Sequence, residues 1–170
     1  QHDAAFQPSI NEDLAATALW GTQLTDHYHT TSRKQGVFGY WYGKGHGVDR
    51  SADVFRQANI QGTGKFGGAL VIAGDDHNAK SSVFAHRTDH IFAATLMPLL
   101  FPASIKEYVR FGLAGIALSR FSGLWVGCKA VTEIIESAGS IPQPTLPRFQ
   151  NPDFEKLVHG LNFDSDLQWP

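Results

Sequence analysis

Cysteine is almost absent from this chain, because Cys128 is the only one among 170 residues. A single thiol forms no disulfide within the chain, and it is too few to hold an iron–sulfur cluster. Cys128 stands in the apolar run LWVGCKAV, so we expect it to be a small buried side chain. The lack of disulfides is compatible with a cytoplasmic protein, which is the location that we expect.

An excess of charge of one sign and long apolar runs are also missing. The formal net charge is −2, which indicates neither a nucleic acid nor an anionic membrane as a partner. No apolar run approaches the roughly 20 residues of a membrane helix. The first residues, QHDAAFQPSI, lack the basic and apolar parts of a signal peptide. With 42% hydrophobic and 18% charged residues, the composition is that of an ordinary folded domain.

Short apolar runs that favour strands alternate with segments of helical periodicity. The runs at 37–43, 68–74 and 124–131 predict strands, and PLLF at 98–101 predicts a shorter one. Helices are expected over 49–60, 90–96 and 104–121, the last with Ser104 as its N-cap. This alternation predicts an α/β fold with a mainly parallel sheet flanked by helices.

The character of the chain changes after Ser140. The segment IPQPTLPRFQNP is rich in proline and is expected to be extended, and DFEKLVHGLNF is expected to add a short helix. We therefore divide the chain into one domain at 1–140 and a C-terminal arm or linker at 141–170. The arm is expected to lead towards another part of a larger protein.

Two glycine-rich segments invite comparison with phosphate-binding loops. In GTGKFGG, at 62–68, the Walker pattern requires glycine where Asn59 stands and serine or threonine where Phe66 stands. We interpret this segment as a turn into a buried strand. In GKGHGVDR the third glycine comes one position too early for the dinucleotide fingerprint.

The second glycine segment nevertheless stands at the carboxyl end of a predicted strand. Glycines there let a ligand approach the backbone closely, and open parallel sheets bind ligands at that edge. Lys44 and His46 would add hydrogen-bond donors. From these residues alone, ligand contact and a purely structural turn are equally good interpretations.

Other polar clusters have competing interpretations. His27 and His29 lack a third zinc ligand, so a solvated loop is favoured. Asp75 and Asp76 follow a predicted strand and are suited to capping a helix, to binding a metal or to lining a ligand site.

The spacing of Ser9 and Glu12 has two interpretations. It matches a capping box, in which the glutamate reaches back to a backbone N–H at the start of a helix. Glu12 is equally suited to pointing across the edge of the sheet towards a ligand. The spacing does not separate the two.

Four segments together resemble one enzyme family. INEDLAATALWGTQ, GVFGYWYGKGHGVDRSADVFRQAN, GGALVIAGDDHNAKSS and SRFSGLWVGCKAVTEIIES look like the pyrimidine-binding thiamine diphosphate domain of the large indolepyruvate:ferredoxin oxidoreductases. The resemblance runs in order from about Phe6 to Ser140. It implies oxidative decarboxylation of a 2-oxoacid, an aryl pyruvate such as indolepyruvate, with coenzyme A and ferredoxin as co-substrates.

The resemblance also implies roles for particular residues. Glu12 matches the glutamate that hydrogen-bonds N1′ of the cofactor's pyrimidine ring, where it shares a proton in a dry cleft. His86 is implied to be catalytic and Arg87 to face the substrate carboxylate. The implied cofactor-binding residues are Glu12, Tyr42, Gly43, Lys44, Gly45, His46 and Gly47.

The same resemblance implies that the site is shared. The diphosphate and its magnesium belong to a separate domain, and the iron–sulfur clusters lie elsewhere, so no metal is expected here. The chain alone is then inactive, and the full enzyme is expected to be a homo-oligomer. Two alternatives are a non-catalytic assembly module with the same fold and an unrelated nucleotide-binding α/β domain.

Overall fold

A computed structural model describes residues 4–24, 35–143, 145, 148 and 150–161. Its sheet has four strands, all parallel, in the order β1-β2-β4-β3. The strands are β1 (Phe38–Lys44), β2 (Gly68–Asp75), β3 (Leu99–Leu100) and β4 (Val126–Val131). This confirms the predicted α/β fold with a parallel sheet. His27 and His29 lie outside the described residues.

Five helices accompany the strands in this part of the chain. They are α1 (Glu12–Gln23), α2 (Gly45–Gln61), α3 (Asp89–Ala94), α4 (Ile105–Ser122) and α5 (Thr132–Ile135). Ser104 caps α4 as expected, since its hydroxyl accepts a hydrogen bond from the N–H of Glu107 at 3.2 Å. The expected helix at 49–60 begins four residues earlier than its sequence pattern indicated.

The core has two layers, one on each face of the sheet. On one face, Trp41, Val71 and Trp125 pack against side chains of α1, α2 and α3. On the other, α4 covers a smaller cluster that includes Leu70 and Cys128. Cys128 is buried as expected, and burial raises the pKa of its thiol to about 11.

Asn59, which stands where the Walker pattern requires glycine, has a structural role. Its side chain is fully buried, donates to the carbonyls of Thr95 and Leu96, both at 3.0 Å, and accepts from the N–H of Trp125 at 2.9 Å. The amide therefore ties α2 to the chain beyond α3 and to the start of β4. The segment that follows is a turn into β2, closed by a hydrogen bond from the N–H of Gly67 to the carbonyl of Gly64.

The described part of the C-terminal arm lies against the domain. Pro152 is buried, and the ring of Phe154 lies 6.3 Å from that of Phe66. Residues 153–157 form a turn, in which the N–H groups of Lys156 and Leu157 donate to the carbonyl of Asp153. The short helix expected here is therefore not found in the described part of the arm.

Candidate functional site

Glu12 is the first residue of α1, and the helix is capped by its neighbour. The side chain of Asn11 accepts a hydrogen bond from the N–H of Leu14 at 2.9 Å. The proposed capping box of Ser9 and Glu12 is therefore wrong, because Ser9 lies outside the helix and Glu12 is two positions too early to close it. The carboxylate of Glu12 is left available for another role.

The sheet holds the start of α1 in place. Trp41 is almost fully buried in β1, and its indole N–H donates to the backbone carbonyl of Glu12 at 3.0 Å. A buried tryptophan usually places its N–H against a hydrogen-bond acceptor, and here the acceptor is the first residue of α1. The backbone from which the Glu12 side chain projects is thereby fixed relative to β1.

Glu12 and the glycine segment meet at the same edge of the sheet, as expected. A Cβ atom added to Gly47 would lie 2.7 Å from Cγ of Glu12, which is closer than real Cβ contacts allow. Glycine at 47 therefore makes room for the glutamate. The Glu12 side chain is 44% exposed and lies 3.8 Å from the guanidinium of Arg50, which also pairs with Asp13 at 3.3 Å.

The glycines do not form a loop. β1 ends at Lys44 and α2 begins at Gly45, so Gly45 and Gly47 belong to the first turn of the helix. No acidic residue occupies this turn, and the Lys44 side chain does not cap it. The Lys44 ammonium instead donates to the backbone carbonyl of Ser81.

His86 fills the space that Gly45 leaves. A Cβ atom at Gly45 would overlap the imidazole ring. His86 is only 7% exposed, its Nε2 lies 2.8 Å from a carboxylate oxygen of Asp49, and its backbone N–H donates to the carbonyl of Asp76 at 3.0 Å. The ring thus joins the loop after β2 to the first turn of α2.

His46 forms the outer layer over this buried ring. Its own ring is exposed and lies 4.9 Å from the His86 ring, while the Phe84 ring lies 5.1 Å from His46. Of the two histidines, His46 is the one that a ligand reaches first. The catalytic role implied for His86 stays a prediction, and in this chain its Nε2 is occupied by Asp49.

Two other expected site residues, Arg87 and Tyr42, are exposed. Arg87 is 64% exposed, and its guanidinium lies 3.6 Å from the carboxylate of Asp89. Tyr42 alternates with Trp41 along β1, so its exposed ring faces the opposite side of the sheet from the α1 layer. The roles implied for Arg87 and Tyr42 stay predictions.

Asp75 and Asp76 have structural partners. Asp75 accepts from both the N–H and the hydroxyl of Thr88, each at 3.0 Å, which ties the end of β2 to the start of α3. Asp76 accepts from the N–H groups of Lys80 and Ser81. The bond from Ser81 is the largest cause that lowers the pKa of Asp76, and it outweighs the opposing effect of burial.

A buried lysine beside these residues was missed from the sequence. Lys129 in β4 is fully buried, and its ammonium lies 3.0 Å from a carboxylate oxygen of Asp75 and 2.9 Å from one of Asp89. Burial raises the pKa of Asp89, but the hydrogen bond and charge of Lys129 outweigh that effect and leave it lowered. A lysine within the apolar run VGCKAV was the signal that could have found it.

A cavity of about 260 Å³ opens at the carboxyl ends of β1, β2 and β4. It is lined by Lys44, Gly74, Asp76, Ser81, Ala130, Thr132, Ile135 and Glu136. The polar lining groups already have partners: Lys44 bonds Ser81, and Thr132 donates to the carbonyl of Asp75 at 3.3 Å. The cavity therefore lies at the carboxyl edge, and neither Lys44 nor Thr132 in its lining lacks a partner.

The described ranges contain neither a cluster of metal ligands nor a membrane-spanning helix. Within them, no group of three or more His, Cys, Asp or Glu side chains is arranged to hold a metal ion. No helix in the same ranges is long and apolar enough to cross a membrane.

Comparison with family models, curated proteins and solved structures gives no significant match to this chain.

Proposed function

We propose that this chain is the pyrimidine-binding part of a thiamine diphosphate-dependent 2-oxoacid:ferredoxin oxidoreductase. The observation that supports it best is the arrangement of Glu12 and Gly47. A half-exposed carboxylate stands at the carboxyl edge of a parallel sheet, and the residue facing it has no side chain. Open α/β sheets bind ligands at that edge.

The residues present fit an aminopyrimidine ring. Glu12 is free of helix capping, its backbone is fixed by Trp41, and its carboxylate is open to the outside of the chain. A carboxyl group in this position shares a proton with a ring nitrogen, which is the role of a general acid or base. When bound, thiamine diphosphate supplies an electron sink for decarboxylation of a 2-oxoacid.

The other residues of this edge hold Glu12 and bound the site. The guanidinium of Arg50 lies between the carboxylates of Glu12 and Asp13 and keeps both near the first turn of α2. His86 and Asp49 lock that turn against the loop after β2. These contacts orient one carboxylate, and no group among them is placed to bind a diphosphate.

A second domain completes the site in this proposal. Glu12 is too exposed to lie in a dry cleft made by this chain alone. The side chains of Ile10, two residues before it, and of Phe84, beside His46, are also exposed. The diphosphate-binding domain of the same or a partner chain covers this edge and brings the diphosphate with its magnesium. Coenzyme A, ferredoxin and the iron–sulfur clusters act outside this chain, in a cytoplasmic homo-oligomer.

An aryl pyruvate such as indolepyruvate is the proposed substrate. Arg87, Tyr42, Lys44 and His46 are exposed at or near the carboxyl edge and are candidates for contacts with substrate or cofactor. The sheet edge leaves these side chains open towards the covering domain. Their roles rest on the family resemblance.

Glu12→Gln in the enzyme that carries this chain tests the proposal. Because Asn11 caps α1 and the ion pair of Glu12 with Arg50 is exposed and therefore weak, glutamine at 12 should leave the thermal melt almost unchanged, whereas deuterium exchange at C2 of bound thiamine diphosphate should slow by about 10²–10⁴-fold. Asp13→Asn is the matched control, since it removes a carboxylate from the same helical turn and from the same arginine. Exchange at the wild-type rate in Glu12→Gln would refute the proposed function.

A further inference from the structure

The two longest described helices end beside each other. α2 is followed by Gly62 and α4 by Gly123, both with positive φ, at +80° and +76°. The N–H of Thr63 donates to the carbonyl of Gly123 at 2.9 Å, so the two helix ends are hydrogen-bonded to each other. The helices cover opposite faces of the sheet, and their ends meet where its strands begin, at the edge opposite to Glu12.

Residues 152–160 lie across this junction. The N–H of Gly160 donates to the carbonyl of Ser122, and the imidazole of His159 lies 3.0 Å from the carbonyl of Arg120. Both carbonyls belong to the last turn of α4, where helical hydrogen bonding leaves acceptors without partners. The segment thus satisfies groups that the helix itself does not.

The packing at the junction is close enough to require glycine. A Cβ atom on Gly123 would overlap the backbone nitrogen of Gly160 and lie 2.6 Å from Nδ1 of His159. A Cβ atom on Gly62 would lie 2.9 Å from the carbonyl oxygen of Gly123 and 3.7 Å from Cα of Gly160. Gly160 also has a positive φ, at +78°. Three glycines from distant parts of the chain therefore meet at one point.

Aromatic contacts extend the attachment towards the start of β2. The Phe154 ring lies 6.3 Å from that of Phe66 and 5.1 Å from that of His159, in both cases edge to face. The ammonium of Lys65 lies 5.6 Å from the centre of the Phe154 ring. Phe154 therefore anchors the segment to the turn that connects α2 with β2.

We propose that residues 152–160 are an intramolecular clasp that holds the carboxyl ends of α2 and α4 together. The folded unit then extends at least to Gly160, past the domain boundary placed at residue 140. The inference is independent of the proposed function, because it concerns the edge of the sheet opposite to Glu12. Residues 152–160 were expected from the sequence to belong to an arm that leaves the domain, and they instead pack against the ends of α2 and α4.

Hydrogen exchange in the full chain tests the clasp. The informative amides are Gly62, Thr63 and Gly123, each bonded across or beside the junction at 2.8–2.9 Å. Phe154→Ala should speed their exchange at least tenfold, because the segment loses its anchor. Glu155→Ala is the control, since that neighbouring side chain is exposed. Wild-type exchange at all three amides in Phe154→Ala would overturn the proposal.

A second measurement separates the clasp from the strain of a positive φ. Gly123→Ala is compared in the full chain and in a shortened chain that ends at Asn151. Both chains suffer the backbone strain of alanine at a positive φ, but only the full chain suffers the clash with Gly160. Gly123→Ala should raise the equilibrium constant for unfolding by a factor at least about tenfold larger in the full chain than in the shortened chain. Gly112→Ala, on the same helix with nothing within 4 Å, should act equally in both.

Equal effects of Gly123→Ala in the two chains would overturn the clasp. Failure of the shortened chain to fold, with the full chain folded, would support it, because residues 152–170 would then be required for the fold. The exchange measurement on the full-length variants then tests the anchoring role of Phe154 within the folded chain.

Discussion

Gly45→Ala tests how the first turn of α2 is joined to the loop after β2. A methyl group at 45 would overlap the imidazole of His86, which is held by Asp49 on its Nε2 and by the carbonyl of Asp76 on its backbone N–H. The ring must stay and be compressed, or move and lose its bond to Asp49. Gly45 does not have a positive φ, so backbone strain does not enter.

The expected cost follows from these two alternatives. Overpacking a buried site costs about 1–3 kcal/mol. Loss of a hydrogen bond to a charged group costs about 1.5–3 kcal/mol. Either route destabilises the chain by about 1–3 kcal/mol. Gly21→Ala is the matched control, because Gly21 lies in α1 with nothing within 4 Å, and alanine there should stabilise by up to about 1 kcal/mol.

Urea unfolding of the full chain, followed by tryptophan fluorescence, measures both variants. The decisive comparison is Gly45→Ala in a His86→Ala background, where the overlapping ring is gone. The cost of Gly45→Ala should then fall below about 0.5 kcal/mol, because contacting residues couple and distant ones do not. An undiminished cost in that background would show that His86 is not what requires glycine at 45.

Three further predictions concern the buried charges, the cofactor and the thiol. Lys129→Met should destabilise the chain by about 3–5 kcal/mol at pH 7, because the buried carboxylate of Asp75 loses the ammonium beside it, whereas exposed Lys106→Met should change little. Because the pKa of Asp89 is lowered in the folded chain, its ion pair with Lys129 stabilises the chain at neutral pH, and this stability is lost as the pH falls through that pKa. In urea titrations the difference in unfolding free energy between Lys129→Met and wild type should therefore shrink below about pH 4. A difference that stays constant with pH would contradict the pairing. Thiamine diphosphate with magnesium should bind the isolated chain only weakly in calorimetry, and tight magnesium-dependent binding would show that the diphosphate half of the site lies in this chain. Cys128, with its pKa raised to about 11, should resist iodoacetamide at pH 8 until the chain unfolds, and rapid labelling of the folded chain would contradict its burial.

The α/β class and the three longest strands were predictable from local patterns. A buried parallel strand is a short apolar run between turns, as in GALVIAG, and this pattern depends only on neighbours in sequence. The start of α4 was predictable for a similar reason, because Ser104 caps a residue three positions away. Burial of Cys128 followed from the apolar run around it.

The boundaries at the candidate site were less predictable. The sequence placed the start of α2 after its glycines and offered Ser9 as the cap of α1 in one of two interpretations, since glycine is typical of loops and serine of caps. The structure starts α2 at Gly45 and caps α1 with Asn11. Positions 45 and 47 are glycine because His86 and Glu12 occupy the space that a side chain would need, and neither neighbour is near them in sequence.

The sequence by itself therefore determined the order of the four strands and of the helices between them, the burial of the apolar runs of β2 and β4, and the presence of a carboxylate at position 12. Only the tertiary structure decided that Lys129 lies between Asp75 and Asp89, that Asp49 holds His86, and that Gly123 meets Gly160. The reason is physical: periodicity and capping act over a few residues. Pairing of buried charges and close backbone contact instead depend on where the folded sheet brings distant segments together.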